Sequence, residues 1–118
     1  MRILIIDGEP ELAATCHRLF GEENEVVEAR SGFSALDLLA IGRPFDVILC
    51  ELALPDMTGM EVHRRLEESA ARSASRLVFV TDDLKQHQAF LAKVPNMHVE
   101  KPVVPSSLRQ VVRDAAMR

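Results

Sequence analysis

The stretch DVILCELALPDMTGMEV, residues 46–62, contains the pattern that decides the fold. Its first part is a nearly continuous apolar run, which is typical of a parallel strand covered on both faces. The run ends at a carboxylate, Glu51, and is followed by a loop that contains Pro55 and Gly59. Apolar residues at helical spacing come next. The stretch therefore predicts a buried strand, a turn at its carboxyl end and a helix that returns over the sheet.

The same alternation of strand and helix continues along the whole chain. The predicted strands are Arg2–Asp7, Glu25–Ala29, Phe45–Cys50, Arg76–Val80 and Met97–Glu100. The predicted helices run from Pro10 to near Gly21, from near Ser34 to before Gly42, from about Thr58 to Ser69 and from Asp83 to Lys93, and a fifth starts after Pro105 with Ser106 as its N-cap. Because parallel crossovers are right-handed, these units predict a doubly wound α/β sheet with helices on both faces. The second and fifth strands are the shorter and less apolar ones, which favours the edges for them.

Length and composition predict a single globular domain over residues 1–118. A formal net charge of -4 and an aromatic content of 4% argue against direct binding of nucleic acid. Every apolar run is far shorter than the roughly 20 residues that span a bilayer, and the first residues lack the layout of a signal peptide. We therefore expect a cytoplasmic protein that does not act at a membrane.

Chemically active side chains follow four of the predicted strands. They are Asp7, Gly8 and Glu9 after the first strand, Glu51 after the third, Thr81 after the fourth and Lys101 after the fifth. The loops at the carboxyl ends of a doubly wound sheet meet at one crevice. Carboxylates, a hydroxyl and an ammonium group in one pocket suit a divalent cation and a phosphoryl group.

Four segments, taken together, resemble the receiver domain of two-component response regulators, of the chemotaxis-receiver type. They are ILIIDGEP (3–10), DVILCELALPDMTGMEV (46–62), LVFVTDD (77–83) and VEKPV (99–103). The resemblance covers essentially the whole chain and implies a flavodoxin-like fold, a five-stranded doubly wound parallel sheet with five helices. It also implies phosphorelay signalling, in which an aspartate at the end of the third strand accepts a phosphoryl group from a histidine kinase beside a bound Mg²⁺.

The resemblance assigns a role to each matching residue. Glu51 stands at the acceptor position, and Thr81 and Lys101 match the threonine and lysine that contact the phosphoryl oxygens. Asp7 matches the first of two adjacent acidic metal ligands. The peptide bond before Pro102 is expected to be cis.

Two positions depart from the family pattern. Gly8 replaces the second acidic residue, and Glu51 replaces the acceptor aspartate. Because Mg²⁺ demands near-octahedral oxygen ligands at short distances, we expect weak or absent Mg²⁺ binding, with Asp7 and Glu9 as the candidate ligands. The longer Glu51 side chain also spoils the geometry of attack on a phosphodonor, so phosphorylation there is not expected.

The added methylene of Glu51 places its carboxylate nearer to the position of a phosphoryl oxygen. We expect it within reach of Lys101 and Thr81, as a partial mimic that carries less charge than a phosphoryl group. Asp82 either restricts access to this pocket or adds negative charge to it. Asp56 is interpreted as a solvated loop residue.

The resemblance also implies an output face, formed by the fourth predicted helix, the fifth strand and the fifth helix. Lys85, Gln88, His98 and Arg109 are assigned to it. His98 stands where the family carries an aromatic switch residue, from which an imidazole differs in size and polarity. The alternative interpretation is an ordinary solvated charged surface.

The leading hypothesis is a non-enzymatic pseudo-receiver that acts through protein–protein interaction, with a histidine kinase or another signalling protein as partner. Its closing segment resembles receivers at the ends of hybrid histidine kinases. A second hypothesis is a phosphorylation-competent receiver that uses an unorthodox acceptor, with Mg²⁺ held through Asp7 and Glu9. A third is a small flavodoxin-like nucleotide-binding protein, which the lack of a glycine-rich loop after the first strand disfavours.

Overall fold

The computed structural model of the chain describes residues 1–118, and its five strands form one sheet. The strands are β1 (Arg2–Ile6), β2 (Glu25–Ala29), β3 (Val47–Glu51), β4 (Leu77–Thr81) and β5 (His98–Glu100). Their order in the sheet is β2-β1-β3-β4-β5, and all neighbouring strands are parallel. The two strands with the less apolar sequences, β2 and β5, therefore form the edges, as predicted.

Six helices cover the two faces of the sheet. They are α1 (Glu11–Phe20), α2 (Gly32–Ala40), α3 (Gly59–Ser69), α4 (Ala71–Ser75), α5 (Leu84–Leu91) and α6 (Pro105–Ala116). The predicted doubly wound α/β fold is confirmed, with one helix more than the five predicted. The additional helix, α4, was missed because its five residues, ARSAS, are too few to show helical periodicity. No helix is long and apolar enough to cross a lipid bilayer.

Alternating side chains of the central strands build two separate halves of the core. Ile3 and Ile5 pack with apolar residues of α1 and α6, whereas Leu4 and Ile6 pack with those of α2, α3, α4 and α5. All four side chains are fully buried. Each contributes about 2 kcal/mol through removal from water, so a strand with two apolar faces is held firmly between the helical layers.

Helix caps start α3 and α5 directly behind the carboxyl ends of β3 and β4. The Thr58 hydroxyl accepts a hydrogen bond from the backbone N–H of Glu61 at 3.1 Å. The Asp83 carboxylate accepts one from the N–H of Gln86 at 3.2 Å. Each cap satisfies an otherwise unpaired amide of the first helical turn. The caps thereby fix where the loops between strand and helix end.

Candidate functional site

The loops after β1, β3, β4 and β5 enclose a pocket of about 420 Å³ at the carboxyl edge of the sheet. The pocket is lined by Asp7, Gly8, Glu9, Glu51, Ala53, Leu54, Pro55, Asp82 and Lys101. The chain crossover between β1 and β3 opens this crevice, because the connections leaving the two strands run to opposite faces of the sheet. Most of the predicted site residues therefore lie together, and Asp82 joins them.

The Lys101 ammonium group bridges two buried carboxylates. Its Nζ lies 2.7 Å from Asp7 Oδ2 and 2.8 Å from Glu51 Oε2. The contact with Asp7 has hydrogen-bond geometry, whereas the contact with Glu51 is an ion pair with unfavourable angles that leaves Oε2 without a hydrogen bond. Because both carboxylates are nearly inaccessible, the ammonium offsets much of the cost of burying them.

The second oxygen of each carboxylate contacts the backbone of its own loop. Asp7 Oδ1 accepts a hydrogen bond from the N–H of Glu9 at 2.9 Å. Glu51 Oε1 accepts a long one from the N–H of Ala53 at 3.4 Å. Both carboxylates are therefore held in place from two sides, which fixes their direction in the pocket.

Burial and charge act in opposite directions on the ionisation of this cluster. Burial raises the pKa of Glu51, and the negative charge of Asp7 raises it further, although Lys101 and the Ala53 amide work against the shift. Burial alone would lower the pKa of Lys101, but its contacts with Asp7 and Glu51 outweigh that effect and raise it. The ammonium is thus firmly charged, and Glu51 accepts a proton more readily than an exposed glutamate does.

Thr81 does not take part in the cluster. Its side chain is buried, and Oγ1 accepts a hydrogen bond from the backbone N–H of Asp83 at 3.0 Å. The predicted approach of Glu51 to Lys101 is present, but no hydrogen bond joins Glu51 to Thr81, and Thr81 is absent from the pocket lining. The reason is local, since the hydroxyl stabilises the turn that leads into α5.

The pocket has an excess of negative charge. The carboxyl groups of Asp7, Glu9, Glu51 and Asp82 surround the single ammonium group of Lys101. Glu9 and Asp82 also line a neighbouring groove of about 500 Å³ between the start of α1 and the loop after β5. An incoming phosphoryl group would therefore meet repulsion from carboxylates at the rim as well as at the base.

The side chains of the pocket do not fit a Mg²⁺ ion as they are arranged. Asp7 has both oxygens engaged, one by Lys101 and one by the amide of Glu9. Gly8 supplies no ligand, and no group of three or more His, Cys, Asp or Glu side chains is arranged to hold a metal ion. Mg²⁺ requires a near-octahedral set of oxygens, whereas Asp7 and Glu51 are here paired with the ammonium of Lys101.

Comparison with known proteins identifies the family. The family model for the response regulator receiver domain matches residues 3–113. The chain belongs to this family. Receiver domains work in two-component signalling and are generally non-enzymatic signalling modules that interact with histidine kinases and other signalling proteins. They commonly bind Mg²⁺ at the phosphorylation site.

Relatives of this receiver include both longer and similarly short proteins. "Response regulator MprA" of Mycobacterium sp. (strain KMS) is 27% identical over 103 residues, which are 86% of this chain and 44% of MprA. A "Chemotaxis protein CheY homolog" of Campylobacter jejuni (strain 81-176) is 21% identical over 118 residues, covering 97% of this chain and 91% of the homolog. The receiver thus spans less than half the length of MprA and most of the chemotaxis protein.

A solved structure carries the same fold. The crystal structure of a response regulator receiver domain protein from Clostridium thermocellum superposes with a TM-score of 0.83, at 23% identity. The match covers 99% of this receiver and 94% of that chain. The pairing order of the strands and the helices on both faces are therefore those of a receiver.

The peptide bond between Lys101 and Pro102 is cis, as the resemblance implied. It follows the end of β5, at Glu100, and Lys101 itself begins the loop that leads to α6. The backbone N–H of Lys101 donates a hydrogen bond to the carbonyl of Thr81 at 2.7 Å, so the start of this loop is tied to the end of β4. This tie places the lysine side chain above the pocket.

The residues assigned to the output face separate into two groups. Lys85 and Gln88 on α5 and His98 on β5 are exposed. His98 lines a groove of about 290 Å³ between β5 and α6. Arg109, by contrast, lies on the other flank of α6, with its guanidinium 5.9 Å from the centre of the Phe20 ring of α1. The structure therefore places Arg109 on the side of α6 that faces α1, and its part in an output face stays a prediction.

Asp56 has a structural role that the sequence did not reveal. Its Oδ1 accepts a hydrogen bond from the N–H of Gly32 at 2.8 Å, and its Oδ2 accepts one from the N–H of Phe33 at 2.9 Å. The carboxylate thus caps the start of α2 from the loop after β3, and these bonds lower its pKa. Ser31 already supplies a local cap for that helix, so the sequence contains no signal for a second cap 24 residues away.

His63 is buried within an aromatic cluster on the α3 side of the sheet. Its ring centre lies 5.4 Å from that of Phe79 and 6.5 Å from that of Phe90. Its Nδ1 lies 3.4 Å from a carboxylate oxygen of Glu67. These contacts with two aromatic rings and one carboxylate indicate a structural role for the imidazole.

Proposed function

We propose that this receiver signals without being phosphorylated, in a state held by the cluster of Lys101, Asp7 and Glu51. The observation that carries the proposal is the bridging ammonium group of Lys101, 2.7 Å from Asp7 and 2.8 Å from Glu51. A single carboxylate brings one negative charge to this position, where a phosphoryl group would bring about 1.5 to 2. The mimicry is therefore partial, and it is constant rather than switched.

Two features of the pocket support the absence of phosphoryl transfer. An acceptor carboxylate must present an oxygen to the phosphorus in line with the leaving group, but Glu51 is 4% exposed and faces Lys101 and its own loop. Transfer also needs the charge of the incoming group to be neutralised, and we propose that Mg²⁺ binds weakly or not at all. The surplus of carboxylates adds to this barrier.

We propose that the output is protein–protein interaction rather than catalysis or binding of nucleic acid. The exposed residues Lys85, Gln88 and His98 form the face that a signalling protein would contact. That partner is a histidine kinase, another signalling protein, or a further part of the same protein if this receiver belongs to a hybrid kinase. The proposed location is the cytoplasm.

Intact mass after incubation with a small-molecule phosphodonor and Mg²⁺ tests the proposal. The purified chain is compared with Glu51→Asp and with the double variant Gly8→Asp, Glu51→Asp. A side chain at Gly8 requires a small shift of its neighbour, because its Cβ would lie 3.3 Å from Cδ of the Pro55 side chain. We expect only the double variant to gain the mass of one phosphoryl group.

The other outcomes are equally informative. Phosphorylation of the unmodified chain would overturn the proposal and favour the hypothesis of an unorthodox acceptor, which fragment masses would then locate. If the double variant also stays unmodified while its circular dichroism spectrum is unchanged, Gly8 and Glu51 are not the positions that prevent phosphorylation, and the proposed function is wrong in this respect.

A further inference from the structure

A second surface of the receiver lies far from the pocket, in a groove of about 530 Å³ between the end of α1 and α6. Its floor is apolar and includes Leu19, Phe20 and Val112. Met117, which is 83% exposed, extends the apolar surface at one end of the groove. The groove lies on the opposite flank of α6 from His98, so a partner there would leave the output face free.

Three arginines line this groove without a carboxylate partner. Arg18 lies on α1, and Arg109 and Arg113 lie one turn apart on α6. None of the three forms an ion pair. Six other arginines of the chain do form ion pairs, namely Arg2, Arg30, Arg43, Arg64, Arg65 and Arg76.

Unpaired arginines in this arrangement carry an energetic cost. Like charges at positions i and i+4 of a helix repel each other, which applies to Arg109 and Arg113. Arg18 adds a third positive charge from the facing helix. The three guanidinium groups outnumber the two carboxylates of the groove, Glu22 and Glu23, so the groove is positive in a chain with a net charge of -4. An anionic surface placed over the groove would relieve the repulsion.

We propose that this groove binds an acidic amphipathic helix of a protein partner. The apolar face of such a helix would cover the half-buried Leu19 and the exposed Met117, and its carboxylates would pair with the three arginines. The groove follows α6 from Arg109 to Ala116, which is a track for about two turns of a bound helix. Glu22 and Glu23 at one end of the groove set the direction, because they favour a basic residue at the matching end of the ligand.

The probe for this proposal is a synthetic 14-residue helical peptide with leucines along one face and glutamates on both flanks. Binding is measured by fluorescence anisotropy of the labelled peptide, and its place by amide chemical shifts of the ¹⁵N-labelled receiver. We expect saturable binding with shift changes centred on α6 and the end of α1. A peptide of the same composition with a scrambled order, which lacks the apolar face, should not bind.

The decisive variant is Arg109→Glu combined with Arg113→Glu. We expect its affinity for the peptide to be at least about tenfold weaker, because two ion pairs are replaced by repulsion. Arg72→Glu is the matched control, since Arg72 is exposed, unpaired and outside the groove. The pair Arg109→Gln and Arg113→Gln, which removes charge without reversing it, should lie between the two. Thermal unfolding followed by circular dichroism verifies that every variant is folded.

Several results would overturn the proposal. One is peptide binding that the double variant leaves unchanged, or shift changes outside the groove. Another is no peptide binding together with arginine-dependent sedimentation on vesicles of phosphatidylglycerol, which would assign the groove to a membrane surface. A dimer in sedimentation velocity that the double variant abolishes would assign it to a second copy of the chain. These results are independent of phosphorylation, so they do not bear on the proposed function.

Discussion

Two carboxylates five residues apart, one at the end of β3 and one in the loop that follows, have opposite pKa shifts. Glu51, at the end of the strand, is buried against Lys101, and burial raises its pKa. Asp56, at the tip of the loop, accepts backbone hydrogen bonds from Gly32 and Phe33, and those bonds lower its pKa. Hydrogen-bond donors outweigh desolvation at the surface, whereas desolvation dominates in the pocket.

The path of the loop explains the difference. After Glu51 the chain leaves the sheet and returns at once, because the N–H of Gly59 donates to the carbonyl of Leu52 at 2.9 Å. An isolated antiparallel bridge between Ala53 and Thr58 closes the same loop. The first residue of the excursion therefore stays inside the pocket, while its tip reaches α2. Glu51 therefore belongs to the candidate site, whereas Asp56 stabilises the fold.

The largest effect is expected when the ammonium group of Lys101 is removed from the buried carboxylates of Glu51 and Asp7. We expect Lys101→Met to lower the free energy of unfolding by about 3 kcal/mol at pH 7, because Glu51 and Asp7 would remain buried without a counter-charge. Denaturation by urea, followed by circular dichroism, measures the effect. Tryptophan fluorescence does not serve, since the chain contains no Trp.

The matched control for this change is Lys93→Met. Lys93 is exposed and forms no ion pair, so its loss should alter stability by less than about 0.5 kcal/mol. Combining Lys101→Met with Glu51→Gln should recover part of the lost stability, because one buried charge is then removed. Equal stabilities for the two methionine variants would show that the cluster is solvated more than its burial indicates.

A second change targets the closure of the loop that separates the two carboxylates. We expect Gly59→Ala to destabilise the fold by about 2 kcal/mol, because the new Cβ would lie 2.6 Å from the backbone carbonyl oxygen of Glu51. Backbone atoms cannot move aside as a flexible side chain does. Gly8→Ala is the comparison, since its Cβ would lie 3.3 Å from the ring of Pro55 and no nearer than 3.8 Å to any backbone atom of another segment. If both variants unfold at the same urea concentration, the close approach at Gly59 does not restrict the loop.

Much of this arrangement could be predicted from the sequence, and the remainder has identifiable physical reasons. The apolar runs of β1, β3 and β4 and the helical spacing between them are sufficient for the fold and for the convergence of Asp7, Glu51 and Lys101 at one edge. Convergence depends on topology alone, since parallel strands end at the same edge of the sheet. Which contacts form there depends on side-chain direction, as with Thr81, whose hydroxyl turns to its own loop.

The features that escaped prediction depend on distances between elements. Asp56 caps a helix that starts 24 residues earlier, and no local motif records such a contact. Arg109 lies toward α1 rather than β5 because of the rotation of α6 about its axis, which Leu108 and Val112 set by packing on the sheet. Periodicity identifies the buried stripe of a helix, but the neighbours of each flank follow only from the assembled fold.

The opposite pKa shifts of Glu51 and Asp56 predict opposite changes of stability with pH. Glu51 is expected to show the larger change. Because its pKa is raised in the folded state, the native chain binds a proton there more tightly than the unfolded chain does. As the pH rises from below 4.5, the ordinary pKa of a glutamate, through the raised pKa of Glu51, ionisation of this side chain therefore lowers the free energy of unfolding. We expect the Glu51→Gln variant to lack this decline. Its free energy of unfolding at pH 7 should lie within about 1 kcal/mol of that of the unmodified chain. Urea denaturation at a series of pH values measures both curves, and parallel curves would contradict the raised pKa.

The stability contributed by Asp56 should change with pH in the opposite direction, and by the smallest amount. Its pKa is lowered in the folded state, so its contribution to stability is complete above the ordinary value of 3.8 and is lost as the pH falls through the lowered value. We expect Asp56→Ala to lack this acid-side loss and to increase amide hydrogen exchange at Gly32 and Phe33 several-fold, because both N–H groups lose their acceptor. Asp37→Ala, an exposed position on the same helix without a hydrogen bond, is the control. If the two variants exchange alike, solvent replaces the cap without cost, and the loop after β3 would not be anchored to α2 by this carboxylate.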